Sequence, residues 1–164
     1  MDVRSDAFMT ELERSILSAN YDSAELLYRE MSFDTFSSTM IVGAFDQPSF
    51  SYYTFLASLL IKQEEVRIHH LAVELLILPL CHIEGAYFSA LYHVRKILYL
   101  TNGKDLAGME MLLFLSEVPD QVVAKEEASQ VAQVLLTLDH SNQIAREYVK
   151  SLKTQEKKNR RRPF

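Results

Sequence analysis

The 164-residue sequence predicts an all-α protein of about nine helices, and three observations carry that expectation. Only four glycines and four prolines occur in it, which suits long helices joined by short turns. Apolar residues recur three and four apart through most of the chain, the period of one helix face. No run alternates polar and apolar cleanly, and β-branched residues are scattered, so strand signals are poor.

Each element has its own signal. Phe8, Leu12, Ile16 and Ala19 share a helical stripe preceded by Ser5 and Asp6 as caps. Asp22 with Glu25 reads as a capping box for a short helix carrying Ala24, Leu27, Tyr28 and Met31. A third helix covers 34–44, made marginal by Gly43 and its Thr/Ser content. Asp46 and Pro48 announce the next, over 50–62. The pattern over 64–78 is helical and stops at Pro79, which cannot continue the hydrogen-bond ladder. Residues 84–100 follow, with Asn102-Gly103 as a C-terminal signal. Helices over 105–118, 126–138 and 142–152 complete the set.

An internal repeat lies in the second half. Val94, Ile97, Leu98, Leu100, Leu106 and Ala107 match Ala132, Leu135, Leu136, Leu138, Ile144 and Ala145 at an offset of 38, and Ala90 matches Ala128. Repeats of this length form helical hairpins that bury their apolar faces on one another. Residues 64–149 resemble tetratricopeptide-like repeats, although the Trp-Leu-Gly-Tyr start and the closing proline are absent.

Charge and cysteine content narrow the class. Residues 150–164 hold seven of the 17 basic residues and one acid, leaving ten basic and 21 acidic residues before them. A body of net −11 therefore precedes a segment of +6, and the expected organisation is one helical domain over 1–149 with a basic disordered tail over 150–164. The tail's ordinary role is solubility, with RNA, a membrane or the body itself as other partners. A domain of this size buries about 70% of its unfolded surface and needs no metal or disulfide. The single Cys81 fits a reducing cytoplasm, and the first six residues lack a signal-peptide pattern. The most apolar stretch, 71–83, is interrupted by Glu74 and Pro79 and is too short for a bilayer.

Chemistry-bearing motifs are sparse. His69, His70, Cys81, His82 and His93 fall within 25 residues, but not at the pairings structural zinc sites use, so no metal is expected. Cys81 reads as a buried, inert thiol in the turn after Pro79. Glu64-Glu65 and Glu126-Glu127 sit near helix starts, where carboxylates favour the positive dipole end. No Gly-rich phosphate loop, His-Glu-x-x-His or nucleophile elbow occurs, so no enzyme and no cofactor are expected. Aromatics cluster over 33–55; most suit the core, but Tyr52 and Tyr53 are consecutive, so one of them should face away from the main stripe.

The run over 75–93, Leu-Leu-Ile-Leu-Pro-Leu-Cys-His-Ile-Glu-Gly-Ala-Tyr-Phe-Ser-Ala-Leu-Tyr-His, together with the helix pairs after it, resembles the small all-helical immunity proteins that Gram-positive bacteria encode beside polymorphic or contact-dependent toxins. The resemblance implies a cytoplasmic, non-catalytic protein that neutralises a cognate toxin domain, often a nuclease. It assigns no contact residue. An acidic body suits a basic partner, by attraction at long range. The expected binding surface draws on Asp34, Asp46, Glu64, Glu65, Glu74, Glu84, Glu117 and Asp120 along one edge of the stack, with Tyr52, Tyr53 and Tyr87 as anchors. Each of these carboxylates also has a helix-capping explanation. The other readings are a tetratricopeptide-like adaptor and a metal-dependent hydrolase using the histidine cluster.

Overall fold

The computed structural model describes the backbone of residues 3–160 and the side chains of residues 9–154. Among the described residues there are nine helices and no strand. They are α1 (Val3–Leu17), α2 (Tyr21–Arg29), α3 (Phe33–Asp46), α4 (Phe50–Lys62), α5 (Val66–Ile77), α6 (Ala86–Leu100), α7 (Leu106–Glu117), α8 (Lys125–Leu138) and α9 (Gln143–Arg160). None is long and apolar enough to cross a membrane. Where the sequence predicted one domain over 1–149, the chain gathers into two compact units, Met1–His93 and Val94–Phe164.

The first unit packs five helices and the start of α6 around Leu12, Ile16, Phe36, Met40, Phe55, Leu56 and Leu71, all at most 2% exposed. Rings fill its centre. Phe36 lies 4.4 Å from Tyr28, 6.1 Å from Phe33 and 6.2 Å from Phe55, centroid to centroid. Helix starts are fixed by short polar side chains that accept otherwise unpaired N–H groups. Ser32 accepts from Thr35 N at 3.1 Å and Ser49 from Ser51 N at 3.2 Å. Two expected caps are elsewhere. Ser5 and Asp6 lie inside α1, and α2 is capped by Asn20, which accepts from Ser23 N, with Asp22 already in the first turn. Leu78 ends α5 one residue before Pro79, as the proline demands.

The second unit follows the repeat. Val94, Ile97, Ala132 and Leu135 are all fully buried, so the positions that match in sequence match in burial. Helix α6 ends as expected: Asn102 and Gly103 adopt φ of 52° and 65°, and Gly103 N donates to Leu98 O at 2.7 Å. Glycine reaches this left-handed backbone without steric cost. Asp105 then caps α7 by accepting from Gly108 N at 2.6 Å. Asn142 caps α9 by accepting from Ala145 N at 3.0 Å, and its amide donates to Glu110 Oε1 at 2.6 Å.

Helix α9 is the main departure. It runs to Arg160, eight residues past the expected end at residue 152, because Lys, Gln and Glu are strong helix formers even without apolar neighbours. The side chains from 155 on, and residues 161–164, which hold much of the basic segment, lie outside the described residues.

Candidate partner-binding surface

The described polar groups do not converge on a catalytic constellation. Of the five metal-ligand candidates the structure brings together only His69 and His93. Cys81 and His82 are exposed, and no group of three or more His, Cys, Asp or Glu among the described residues could hold a metal. Cys81, expected to be buried, stands at the surface because the turn after Pro79 directs Leu80 inward instead.

A row of rings is the most distinctive feature of the first unit. Phe50 and Tyr53 lie three apart on α4 and so share a face, with centroids 5.1 Å apart. Tyr53 meets the His93 ring edge-on at 5.6 Å, and Tyr92 meets it edge-on at 5.2 Å. The inner member is buried, His93 being 2% exposed, while the ends face solvent, Phe50 at 47% and Tyr92 at 56%. Phe88, one helical turn before Tyr92, is 60% exposed. Large rings held at the surface by buried ones offer contact area with little rotamer entropy left to lose.

Beneath the row runs a polar chain. Tyr53 Oη lies 3.1 Å from His93 Nε2, His93 Nδ1 lies 2.7 Å from His69 Nδ1, and His69 Nε2 lies 3.5 Å from Glu64 Oε1. Burial first, and then neighbouring His69, lower His93 to about 4. Burial, reinforced by Tyr92, raises the Tyr53 phenol.

The expected site residues divide. Asp34, Asp46, Glu64 and Glu84 are exposed, whereas Glu65, Glu74 and Tyr87 are partly buried. Asp34 lies in the first turn of α3 and Asp46 is its last residue, so about 18 Å of helix separates them. The two carboxylates therefore stand at opposite ends of α3. Glu117 and Asp120 are exposed but belong to the second unit. Glu65 is occupied by Arg67 at 2.6 Å.

Tyr52 cannot be an anchor: it is 1% exposed. Its hydroxyl fills the space beside Gly43, where a Cβ would stand 2.6 Å from Tyr52 Oη and 2.9 Å from Glu13 Oε1. Burial, with the Glu13 and Asp46 charges, pushes Tyr52 up to about 12. Burial and Asp46 likewise raise the Glu13 carboxyl. Phe50, Phe88 and Tyr92 replace Tyr52 on the surface. Their helical spacing was visible in the sequence, but nothing there showed which face solvent would keep.

A cleft of about 330 Å³ between α2 and α4–α5 adds little chemistry of its own. Its charges satisfy one another: Glu25 binds Lys62 and Arg29, and Arg67, paired with Glu65, lies 4.8 Å from the Phe33 ring centroid.

The chain matches no known family model, no curated protein and no solved structure.

Proposed function

We propose that this protein is a non-enzymatic inhibitor of the immunity type. It binds a basic, nucleic-acid-cleaving toxin domain in the cytoplasm through the carboxylates and exposed rings of its first unit. One observation supports this reading above the rest. Residues 1–93 carry 13 acids against five bases, a net −8, and all four described bases are spent on internal ion pairs. Arg14 binds Glu11, Arg29 and Lys62 bind Glu25, and Arg67 binds Glu65, at 2.5–2.7 Å. The outward field is thus that of the surplus carboxylates, among them Asp34, Asp46, Glu74 and Glu84. Such a field draws in the lysines and arginines that a nuclease turns toward phosphate. Exposed Phe50, Phe88 and Tyr92 then supply faces for apolar and cationic side chains.

The test is co-expression with the toxin domain encoded by the adjacent reading frame, followed by binding kinetics on the purified pair. Growth is expected to be restored, and association to slow markedly between low and physiological salt. Asp34→Lys with Glu84→Lys should lower the association rate, and Phe88→Ala with Tyr92→Ala should speed dissociation at least tenfold. No rescue, together with no binding, would reject the reading. The second reading, a tetratricopeptide-like adaptor for peptides, draws on the matched burial of the 38-residue repeat. It places the contact in the second unit, so the charge reversals would then leave binding unchanged.

A further inference from the structure

The contact chain Glu64–His69–His93–Tyr53 has one proton order that turns an N–H toward the Glu64 carboxylate. Two imidazole Nδ1 atoms 2.7 Å apart hold one proton between them, so one ring donates and the other accepts. Tyr53 Oη lies 3.1 Å from His93 Nε2, and with the phenol as donor this nitrogen accepts. His93 then carries its own proton on Nδ1 and donates it to His69 Nδ1. That order leaves the proton of His69 on Nε2, which faces Glu64 Oε1 at 3.5 Å, an electrostatic contact rather than a hydrogen bond. The opposite order would set a lone pair of His69 against the Glu64 carboxylate. In that order every contact runs from phenol to carboxylate, with both imidazoles neutral.

The chain also crosses elements. Tyr53 stands on α4, Glu64 in the turn before α5, His69 on α5 and His93 on α6. These are the titratable groups that face His93, together with Tyr92 from its own helix. A proton added at His93 Nε2 displaces the Tyr53 hydrogen bond. Protonating both rings sets two N–H groups against each other across the central contact, in a site where each imidazole is 2% exposed. Buried like charges of this kind are costly.

We propose that this buried chain is an acid-released latch, which fastens α4, α5 and α6 together while both imidazoles are neutral and opens when they take up protons. The sign follows from linkage. His93 is held at about 4 in the folded chain against an ordinary 6.5, so the unfolded chain binds the proton first. The latch contributes fully above 6.5, and its contribution is lost as pH falls from 6.5 toward 4. Because Tyr53 and Tyr92 both lean on His93, opening also disperses the ring row. That a bound partner is then released rests on the reading above; the latch does not.

The experiment uses the full chain without any partner. Nitrogen-15 spectra of the histidine rings should show His69 and His93 as two neutral rings of opposite tautomer at pH 6. The urea midpoint should fall between pH 6.5 and 4. His69→Asn, which keeps a neutral hydrogen-bonding group near Nδ1, should flatten that fall, and Tyr53→Phe should shift the His93 titration upward. Equal tautomers in the two rings, or an unaltered pH slope in His69→Asn, would overturn the proposal. If His69→Asn does not fold, the wild-type tautomers decide it. Loss of partner binding with an intact latch would count against the inhibitor reading alone.

Discussion

In the first unit five aromatic rings, Tyr21, Tyr28, Phe33, Phe36 and Phe55, lock together in and around the core, whereas the second, among its described residues, buries Val, Ile, Leu, Met and Ala with Tyr148 as the one buried ring. The first unit also encloses titratable groups, the His69–His93 pair above all. The second repeats one hairpin pattern, and the one buried polar residue among its described residues, Asn142, is a capping amide. The difference separates two ways of specifying a fold. Irregular ring packing creates sites found once, at which a proton or a partner can act. Repeated aliphatic packing makes equivalent positions, and stability there comes from many similar contacts.

The largest expected effect breaks the ring packing. Phe36→Ala removes a fully buried side chain that touches three other rings, at a cost of about 3–5 kcal/mol. Hydrogen exchange should show the loss of protection concentrated in residues 1–93; equal loss beyond residue 93 would mean that the units share one stability. Acid should separate the units next. His93 costs the first unit about 3 kcal/mol as pH falls from 6.5 to 4. In the second unit Asp139 lies below its ordinary 3.8, chiefly because Ser141 donates to it. Its contribution persists above 3.8 and is lost only at lower pH, so exchange at pH 5 should open the first unit selectively.

Smaller effects sharpen the contrast. Gly43→Ala forces a methyl against Tyr52 Oη, an overpacking cost of about 1–3 kcal/mol in urea unfolding. Asn142→Ala deletes the α9 cap and the donor to Glu110, and should cost about 1 kcal/mol. Arg95→Ala loses only an exposed pair with Glu127 at 3.0 Å and should change stability by less than about 0.5 kcal/mol.

The helices were legible wherever a residue does one local job. Pro79 cannot continue α5, and Asn102-Gly103 can turn left-handed. The repeat was legible for the same reason: Ala132 and Leu135 stand in for Val94 and Ile97 at a fixed interval. Contacts across the chain were not. His69 and His93 are 24 residues apart, and no spacing rule pairs them. Tyr52 and Tyr53 differ only in which way a helix turns its faces, and that depends on what α1 and α3 place beside them. The end of α9 was not legible, because the segment after Leu152 lacks apolar residues while its Lys, Gln and Glu favour helix.

Cys81 has a practical consequence. It is the only thiol in these 164 residues and lies exposed in the turn between α5 and α6. A maleimide dye or spin label therefore attaches at one known place, without prior removal of other cysteines. Under oxidising conditions a disulfide between two copies can form only by joining this turn to itself, which gives a like-to-like, two-fold pairing. A non-reducing gel of aged protein should thus show a ladder that stops at two.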